Sequence, residues 1–594
     1  MIPSANYGKH GPASIDVIPR YSLEYFPYAD RPEYIALSYV WGEKSLASTI
    51  AVNGEDKSIT TNLAQALSST RESDPGAYIW ADSVCINQQD DEEKSLVVQH
   101  MGEIFANARL VYAWLGPIED INLDALQSRF AQPPGRYGGF PVEQFEALGA
   151  RPFWSRIWVL QEIFLAKSLY YVCGNRRLSG RILAGAFVLL VTFHRHVSQL
   201  GDKVELDGPL ERFVSVFFSF AELNRLINYT LTYPGELISL WTAMTFFCVK
   251  ELPRGSKTTD PRDMIYGLLG FAKDEEKSYI RADYGKSVPE TYSTVTRLLI
   301  QNGFTDVLAW AQPGVQKITD LPSWVPDYSS TIYHSLCSQG QVMAVLPQFR
   351  ACGQTKYSDV NSRPFDPHVL PVHGWRLDDV LLVGKRWFPR SRGVASPSSR
   401  DDSETPLSRR SSDGQLQLFL DEVRYLVRQA DSIHRRNTAV SQGCGEKPPR
   451  ATADSIWRVP CCDQVETVSM GLVRGDASAR SYYEATLRGL EARIQEPAHK
   501  YPVESQPFLR ALFRWAHRRP FLTAGGFVGL GPAEVEPGDF VAVLDGFNAC
   551  YVLRDRDPRG GGEHRLVGEA YVDGVMDGEM ADPVPDTREW FYLV

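Results

Sequence analysis

Short apolar runs alternate with segments of helical spacing over residues 34–175. The runs typical of buried strands end at glycine or at polar residues and cover 34–41, 78–82 and 110–115. Between them, residues 61–71 and 90–108 place their apolar side chains on one stripe of a helix. This order, with short connections, predicts right-handed crossovers and a parallel sheet covered by helices. A further helix is expected over 155–167 and a strand over 168–173.

The pattern changes behind residue 175. Residues 178–303 are mainly helical in spacing, whereas 389–413 and 437–453 are rich in Ser, Arg and Pro and predict flexible insertions around one amphipathic helix at 415–429. From 521 to 592, glycine turns separate short apolar runs, which predicts a small antiparallel β unit. The predicted organisation begins with an N-terminal segment (1–33), an α/β domain (34–175) and a mainly helical region (176–330). A mixed β and loop region (331–388), the insertions (389–455) and a helix followed by the β unit (456–594) complete it.

Composition narrows the class of protein. Of 594 residues, 43% are hydrophobic and 23% are charged, which is typical of a soluble globular chain. The net charge of −10 argues against nucleic acid as a partner. The longest apolar stretch, 182–193, is shorter than the roughly 20 residues of a membrane span and predicts a buried helix. The polar N-terminal residues and the nine scattered cysteines favour a cytoplasmic protein with reduced thiols and no metal or other bound cofactor.

A ligand-binding or catalytic site is expected where the predicted parallel strands end, because ligands bind beyond the carboxyl ends of such strands. These ends lie at 38–42, 82–87 and Gly116. Other site patterns fail: Gly285-Lys286-Ser287 lacks the first glycine of a phosphate-binding loop, and Cys85 is interpreted as inert packing.

Four blocks of sequence closely resemble the heterokaryon-incompatibility (HET) domain of filamentous fungi. They are IALSYVWG at 35–42, WADSVCINQQD at 80–90, VYAWLG at 111–116 and RPFWSRIWVLQE at 151–162. Further blocks resemble the extensions of long HET proteins, namely DPRDMIYGLLG at 260–270, LPSWVPDY at 321–328 and VGEAYVDGVMDGE at 567–579. Tyr328, where many relatives have tryptophan, and a long insertion at 120–148 depart from the family pattern.

The resemblance implies a role in fungal self/non-self recognition that ends in programmed cell death, with protein partners or self-association. HET domains are similar to TIR domains, which implies a TIR-like, flavodoxin-like parallel sheet, followed here by the mainly helical region and the antiparallel β unit. Some TIR domains cleave NAD⁺ with a glutamate on a helix. Trp158 and Glu162 resemble the W-x-x-x-E segment of those domains, and at i and i+4 they share one helix face.

This resemblance makes NAD⁺ a candidate substrate and Glu162 the candidate catalytic carboxylate, with Trp158 beside it. Cleavage of the glycosidic bond of NAD⁺ passes through a ribosyl cation, which a carboxylate stabilises without a metal ion. The remaining candidates for substrate binding are residues that would stack on or hydrogen-bond the dinucleotide and its ribose hydroxyls: Ser38, Tyr39, Trp41, Asp82 and Asn87.

A structural interpretation stands beside each of these assignments. Trp158 can be a core tryptophan, and Glu162 can pair with Arg151 or Arg156. Trp41 can pack between sheet and helices, and 82–87 can form a capped turn, because Asp and Asn bond readily to nearby backbone amides. In that case the domain is a non-catalytic interaction and assembly module.

Overall fold

The computed structural model describes residues 2–3, 18–42, 47–117, 122–123, 142–185, 188, 239–249, 258–336, 348–358, 366–387, 412–440, 451–467, 471–496, 498–557, 562–581 and 587–594. They belong to two compact units, Met1–Thr291 and Tyr292–Val594. Most of the predicted insertion at 120–148 and most of the predicted helix at 182–193 lie outside the described residues, as do most of the predicted insertions at 389–413 and 437–453.

A parallel sheet forms the centre of the N-terminal unit. Its parallel strands are, in spatial order, Tyr78–Trp80, Tyr34–Ser38, Leu110–Trp114 and Leu169–Cys173. Every residue of Tyr34–Ser38 and of Leu110–Trp114 is buried, because helices cover both faces of such a sheet. Antiparallel strands Ile2–Pro3 and Arg176–Ser179 flank it. The predicted parallel α/β sheet is confirmed, and its TIR-like character stays a prediction.

Helices on the two faces of this sheet fill its core. On one face Leu63 and Leu67 of Thr61–Ser73 pack with Ile35 and Leu37. On the other face Val159 and Ile163 pack with Ala113, Phe153 and Tyr171. Each buried large aliphatic side chain contributes about 1.5–3 kcal/mol of transfer free energy. The described α-helices of the unit are Thr61–Ser73, Asp82–Cys85, Asp91–Gln99, Met101–Asn107, Val142–Gly149, Trp158–Phe164, Leu240–Cys248, Asp263–Tyr266 and Asp274–Tyr279. The helix Val288–Gln301 begins in this unit and continues into the next.

Two local predictions for this unit need correction, and one hairpin was missed. The single helix predicted over 90–108 is two helices, because His100 leaves helical geometry at φ −105° and ψ 8°. The helix predicted over 155–167 is confined to Trp158–Phe164 and follows a 3₁₀ turn. A hairpin of strands Ala47–Val52 and Glu55–Thr60, which also pairs with Arg20–Tyr21, was not predicted. Its turn is Asn53-Gly54, both at positive φ, a strong hairpin signal in the sequence.

The C-terminal unit contains a larger antiparallel sheet. Its described strands are Arg519–Thr523, Val528–Gly531, Glu563–Val572, Cys550–Asp555, Phe540–Leu544, Leu370–Val383 and Glu589–Leu593. Leu370–Val383 pairs with both Phe540–Leu544 and Arg519–Thr523, so the order returns to its start and the sheet closes on itself. The predicted antiparallel β unit is confirmed, and it also includes the strand Leu370–Val383, which lies well before the predicted start at residue 521.

Helices accompany this sheet. They are Ser412–Val440, Ser455–Cys461, Ala479–Gln495 and Gln506–Arg514, with a small hairpin of Gln464–Thr467 and Gly471–Arg474. The helix predicted at 415–429 is thus present and runs for 29 residues. Within the described ranges, no helix is both long and apolar enough to cross a membrane.

Candidate functional site

A buried carboxyl lies at the end of the first parallel strand. Ser38 is the last residue of Tyr34–Ser38 and is fully buried, and its hydroxyl donates a hydrogen bond to Oε2 of Glu162. Glu162 lies on the helix Trp158–Phe164 and is only 5% exposed. The fold therefore joins two of the predicted site residues across 124 positions of sequence.

The surroundings of Glu162 set its protonation. Burial raises the pKa of Glu162 from near 4.5 to about 7, while the Arg156 guanidinium and the Ser38 hydroxyl oppose the shift and Asp82 adds to it. Arg156 itself donates a hydrogen bond to the Tyr39 carbonyl oxygen. Of the two arginines considered as partners of Glu162, Arg156 acts on its pKa through charge. With a pKa of about 7, the carboxyl is present both as acid and as carboxylate near neutral pH.

The Asp82 carboxylate accepts hydrogen bonds from two more of the predicted site residues. The Tyr39 hydroxyl donates to Oδ1 of Asp82 at 2.6 Å, and the Trp41 indole donates to Oδ2 at 2.9 Å. Ser83 lies 2.7 Å from the same Tyr39 hydroxyl oxygen. Burial, with Asp82 next in effect, raises the pKa of Tyr39 well above its usual range, so this hydroxyl keeps its proton.

Asn62 holds the loop that carries Trp41, and the sequence analysis missed it. Its amide nitrogen donates to the Val40 carbonyl oxygen at 2.6 Å, and its amide oxygen accepts from the Trp114 indole at 2.8 Å. The loop includes Gly42, whose φ of +77° favours glycine. An asparagine in a first helical turn is common, so the sequence held no signal for this contact.

Asn87 has a different setting. It is exposed, its side-chain oxygen accepts from the backbone of Gln89 at 3.2 Å, and its backbone donates to Glu93 at 3.0 Å. These are the bonds of the capped turn that formed the structural interpretation of this segment. The side-chain oxygen and the backbone nitrogen of Asn87 are therefore used in local bonds.

Trp158 contacts a segment that follows much later in the sequence. Its indole bonds to the carboxyl of Asp263, which also accepts from the Tyr284 hydroxyl at 2.6 Å. Burial raises the pKa of Asp263 above its ordinary value despite these two bonds. The indole is thus fixed one turn before Glu162 by a residue of the 260–270 block.

The same segment holds the neighbouring Gln161, another residue that the sequence analysis missed. The Gln161 side-chain oxygen accepts from the backbone of Gly270 at 3.0 Å. A side chain at position 270 would place its Cβ 2.1 Å from that oxygen, so a larger residue there would displace the Gln161 side chain. Residues 260–284 also bond to the helix Asp91–Gln99, through Ser95 to the Tyr284 backbone and Gln99 to the Ala282 backbone. This segment therefore supports the helix that carries Glu162.

The described residues contain no group of three or more His, Cys, Asp and Glu side chains arranged to hold a metal ion. The polar groups near the strand ends are instead one carboxyl bound to a hydroxyl and a second carboxyl bound to an indole and a phenol. These groups suit hydroxyl-rich or cationic organic ligands, because carboxylates accept hydrogen bonds and stabilise positive charge.

Comparison with known proteins adds a family context. Residues 34–162 match the family described as "Heterokaryon incompatibility protein (HET)", and residues 491–594 match the "Het-6 beta-barrel domain". The protein "Heterokaryon incompatibility protein 6, OR allele" of Neurospora crassa is 27% identical over 676 aligned positions, which cover 96% of this chain and 92% of that relative. No solved structure matches significantly. The resemblance found in the sequence is confirmed, and the HET match runs from the first parallel strand to Glu162.

Proposed function

We propose that this chain, which carries a HET domain and a Het-6 β-barrel domain, acts in fungal heterokaryon incompatibility. In this proposal it is a cytoplasmic effector of self/non-self recognition that promotes programmed cell death, and protein partners or self-association activate it. The similarity to the Neurospora crassa protein along nearly the whole chain supports the role, because both matched domains lie within one aligned span.

The proposed reaction is hydrolysis of NAD⁺ in a TIR-like HET domain. The bond between the ribose C1′ and the nicotinamide nitrogen breaks, and its electron pair leaves with neutral nicotinamide. Water then adds to C1′ of the ribosyl cation and loses a proton, which gives ADP-ribose. Glu162 as carboxylate would stabilise the cation or orient the water, and no cofactor is consumed.

One observation carries this proposal: the Ser38–Glu162 bond places a carboxyl of pKa about 7 at the carboxyl end of a parallel strand. Asp82 lies close enough to Glu162 to raise its pKa. In the proposed site, the Asp82 carboxylate would hold ribose hydroxyls. Trp41 is half-buried and would supply a ring for stacking, while Tyr39 acts only as a hydrogen-bond donor. Trp158, bonded to Asp263, would position the helix.

The test is NAD⁺ consumption by purified, deliberately oligomerised protein, with cell death scored in parallel in cells that express the same variants. Glu162→Gln should lower the rate by about 100-fold or more, since a group that stabilises transition-state charge contributes on that scale. The matched control is Glu103→Gln, a half-exposed carboxylate of the same unit, which should leave the rate unchanged. An intact NAD⁺ pool with wild-type protein would reject the reaction.

A second function is supported by the burial of the same residue. Glu162 is only 5% exposed and its carboxyl already bonds to Ser38, as in a site that serves packing alone. The HET domain would then be a non-catalytic interaction module that causes death by assembly. This second function predicts that cells expressing Glu162→Gln still die while their NAD⁺ level stays constant, so the same experiment separates the two functions.

A further inference from the structure

Two side chains of one segment bind the end of the strand Tyr34–Ser38. Glu162 accepts a hydrogen bond from the hydroxyl of Ser38, the last residue of that strand. Arg156 donates a hydrogen bond to the carbonyl oxygen of Tyr39, the next residue. The two ends of the segment 156–162 therefore contact consecutive residues at the point where the strand ends.

Arg156 is held near the Glu162 carboxyl by a bond to the strand. It lies between a 3₁₀ turn and the helix Trp158–Phe164, at φ −91° and ψ 132°, and it is partly exposed. Its hydrogen bond goes to a backbone carbonyl oxygen, and the bond of the Glu162 carboxyl comes from a hydroxyl. Since both of these partners are neutral, neither charge is cancelled by the group that holds it.

The burial of Glu162 makes it sensitive to the charge of Arg156. Glu162 is only 5% exposed, and charges interact more strongly in a buried environment than in water. Burial is the largest influence on the pKa of Glu162, which is raised to about 7, and the Arg156 guanidinium is the next and lowers that pKa. The guanidinium therefore favours the carboxylate over the acid.

Other ionisable groups approach the helix Trp158–Phe164 from the strand ends and from the elements packed against it. They are Tyr34, Tyr39, Asp82, His100, Glu103, Tyr112 and Asp263. Glu103 pairs with the half-exposed His100. Among the described residues, Arg156 supplies the positive charge that lowers the pKa of Glu162, and Asp82 supplies the negative charge that raises it.

We propose that Arg156 is a positioning residue of this site, which holds the strand end against the helix that carries Glu162 and favours the charged form of that carboxyl. The inference rests on the proposed function, because only there is Glu162 the reacting group. Since the carboxylate is the form that stabilises a ribosyl cation, Arg156 would set the pH range in which the site works.

The test compares stability with and without Glu162 over a series of pH values. For any chain, the free energy of unfolding of its Glu162→Gln counterpart exceeds its own by an amount that grows with pH and levels off once folded Glu162 has lost its proton. In the wild type this levelling is expected near pH 7. In an Arg156→Gln background it should occur about one pH unit higher or more, because one adjacent charge shifts a carboxyl pKa on that scale. Urea unfolding of the four chains measures both values.

Two further variants are matched controls. Arg156→Lys keeps the charge, so the difference should level off near pH 7, as in the wild type. Arg109→Gln removes the same charge at the other end of the sheet, where Arg109 precedes the strand Leu110–Trp114 and is 44% exposed. It should leave the levelling pH unchanged. A purely structural Arg156 would change stability equally at every pH and leave the levelling pH where it is in the wild type.

The pH profile of NAD⁺ consumption is the second measurement. The wild-type rate should rise with pH through about 7, and the Arg156→Gln rate should rise at higher pH. If the wild type leaves NAD⁺ intact, the proposed function fails, whereas an unchanged levelling pH in Arg156→Gln overturns the role of Arg156 alone. That role is also overturned if Arg156→Lys shifts the levelling pH as far as Arg156→Gln does, because the charge would then not be the cause.

Discussion

Two buried glutamates, one in each unit, have similar pKa values and very different partners. Burial raises the pKa of Glu162 and of Glu569 to about 7. Glu162 bonds to the neutral hydroxyl of Ser38, whereas Glu569 bonds to the Arg518 guanidinium and to the backbone of Leu336. The comparison shows that a shifted pKa alone does not distinguish a structural acid from one available for chemistry.

The partners do distinguish them. Removing Glu569 leaves the nearly buried Arg518 without its counter-charge, and an unpaired buried ion is costly. Removing the charge of Glu162 leaves only a hydroxyl, which an amide satisfies equally well. Glu569 is therefore a structural member of an ion pair, and Glu162 can gain or lose its charge without stranding a neighbour.

The largest effect is expected for Glu569→Gln. Because the substitution strands Arg518, it should lower the free energy of unfolding of the C-terminal unit by about 3 kcal/mol. Urea unfolding well above pH 7, where the Glu569 carboxyl is charged, measures this change by tryptophan fluorescence. The control is Glu563→Gln on the same strand, where the exposed pair with Arg556 contributes less than about 1 kcal/mol. Equal losses in Glu569→Gln and Glu563→Gln would show that Arg518 does not depend on Glu569 as its counter-charge.

Glu162→Gln should act in the opposite direction, and its effect depends on pH. The folded state holds the Glu162 proton more tightly than the unfolded state, so between pH 4.5 and 7 the free energy of unfolding falls as pH rises. Glutamine lacks this titration. The free energy of unfolding of the variant should exceed that of the wild type by about 3 kcal/mol well above pH 7, and the two should be equal below pH 4.5. Unfolding curves at both extremes measure the difference, and a pH-independent difference would contradict the assignment.

A smaller loss is expected for Trp158→Phe. It removes the indole bond to the Asp263 carboxyl, which should cost about 1.5 kcal/mol in the N-terminal unit. Urea unfolding of Trp158→Phe, Asp263→Asn and the double variant yields the coupling energy of the pair. Additive losses would show that the helix carrying Glu162 does not depend on this bond.

The smallest effect is expected for Asn87→Ala. Its exposed side chain bonds only weakly within its turn, so the loss of stability should be about 0.5 kcal/mol or less. The rate of NAD⁺ consumption should not change either, since the side-chain oxygen of Asn87 bonds within the turn. A large drop in that rate with unchanged stability would return Asn87 to the binding residues proposed from the sequence.

The strands Tyr34–Ser38, Tyr78–Trp80 and Leu110–Trp114 were predictable because a strand buried on both faces is apolar at nearly every position. Each ends one to three residues before its predicted end, since the apolar runs at 34–41, 78–82 and 110–115 continue past the strands. Ser38 and Glu162 were predicted separately, yet their contact joins residues 124 positions apart, which no local pattern encodes. The break at His100 escaped notice because the helices on either side continue one apolar stripe.

Long-range packing also explains what else was missed. Gln161 reads as an ordinary helix residue until Gly270 approaches it, and only the folded chain makes that approach. Leu370–Val383 lies more than a hundred residues before the strands it joins, so local turn signals could not assign it to their sheet. Local chemistry thus located the candidate residues, and tertiary contacts decided their roles.

The closure of the C-terminal sheet has a consequence for folding kinetics. Leu370 pairs with Leu593, and Glu589–Leu593 also joins the strand Glu563–Val572. These contacts have very high contact order, so the loop entropy must be lost before the pairing compensates for it. Strand Leu370–Val383 must wait during synthesis for partners made more than a hundred residues later. The unit should therefore fold slowly and depend on chaperones until residues 589–593 have emerged.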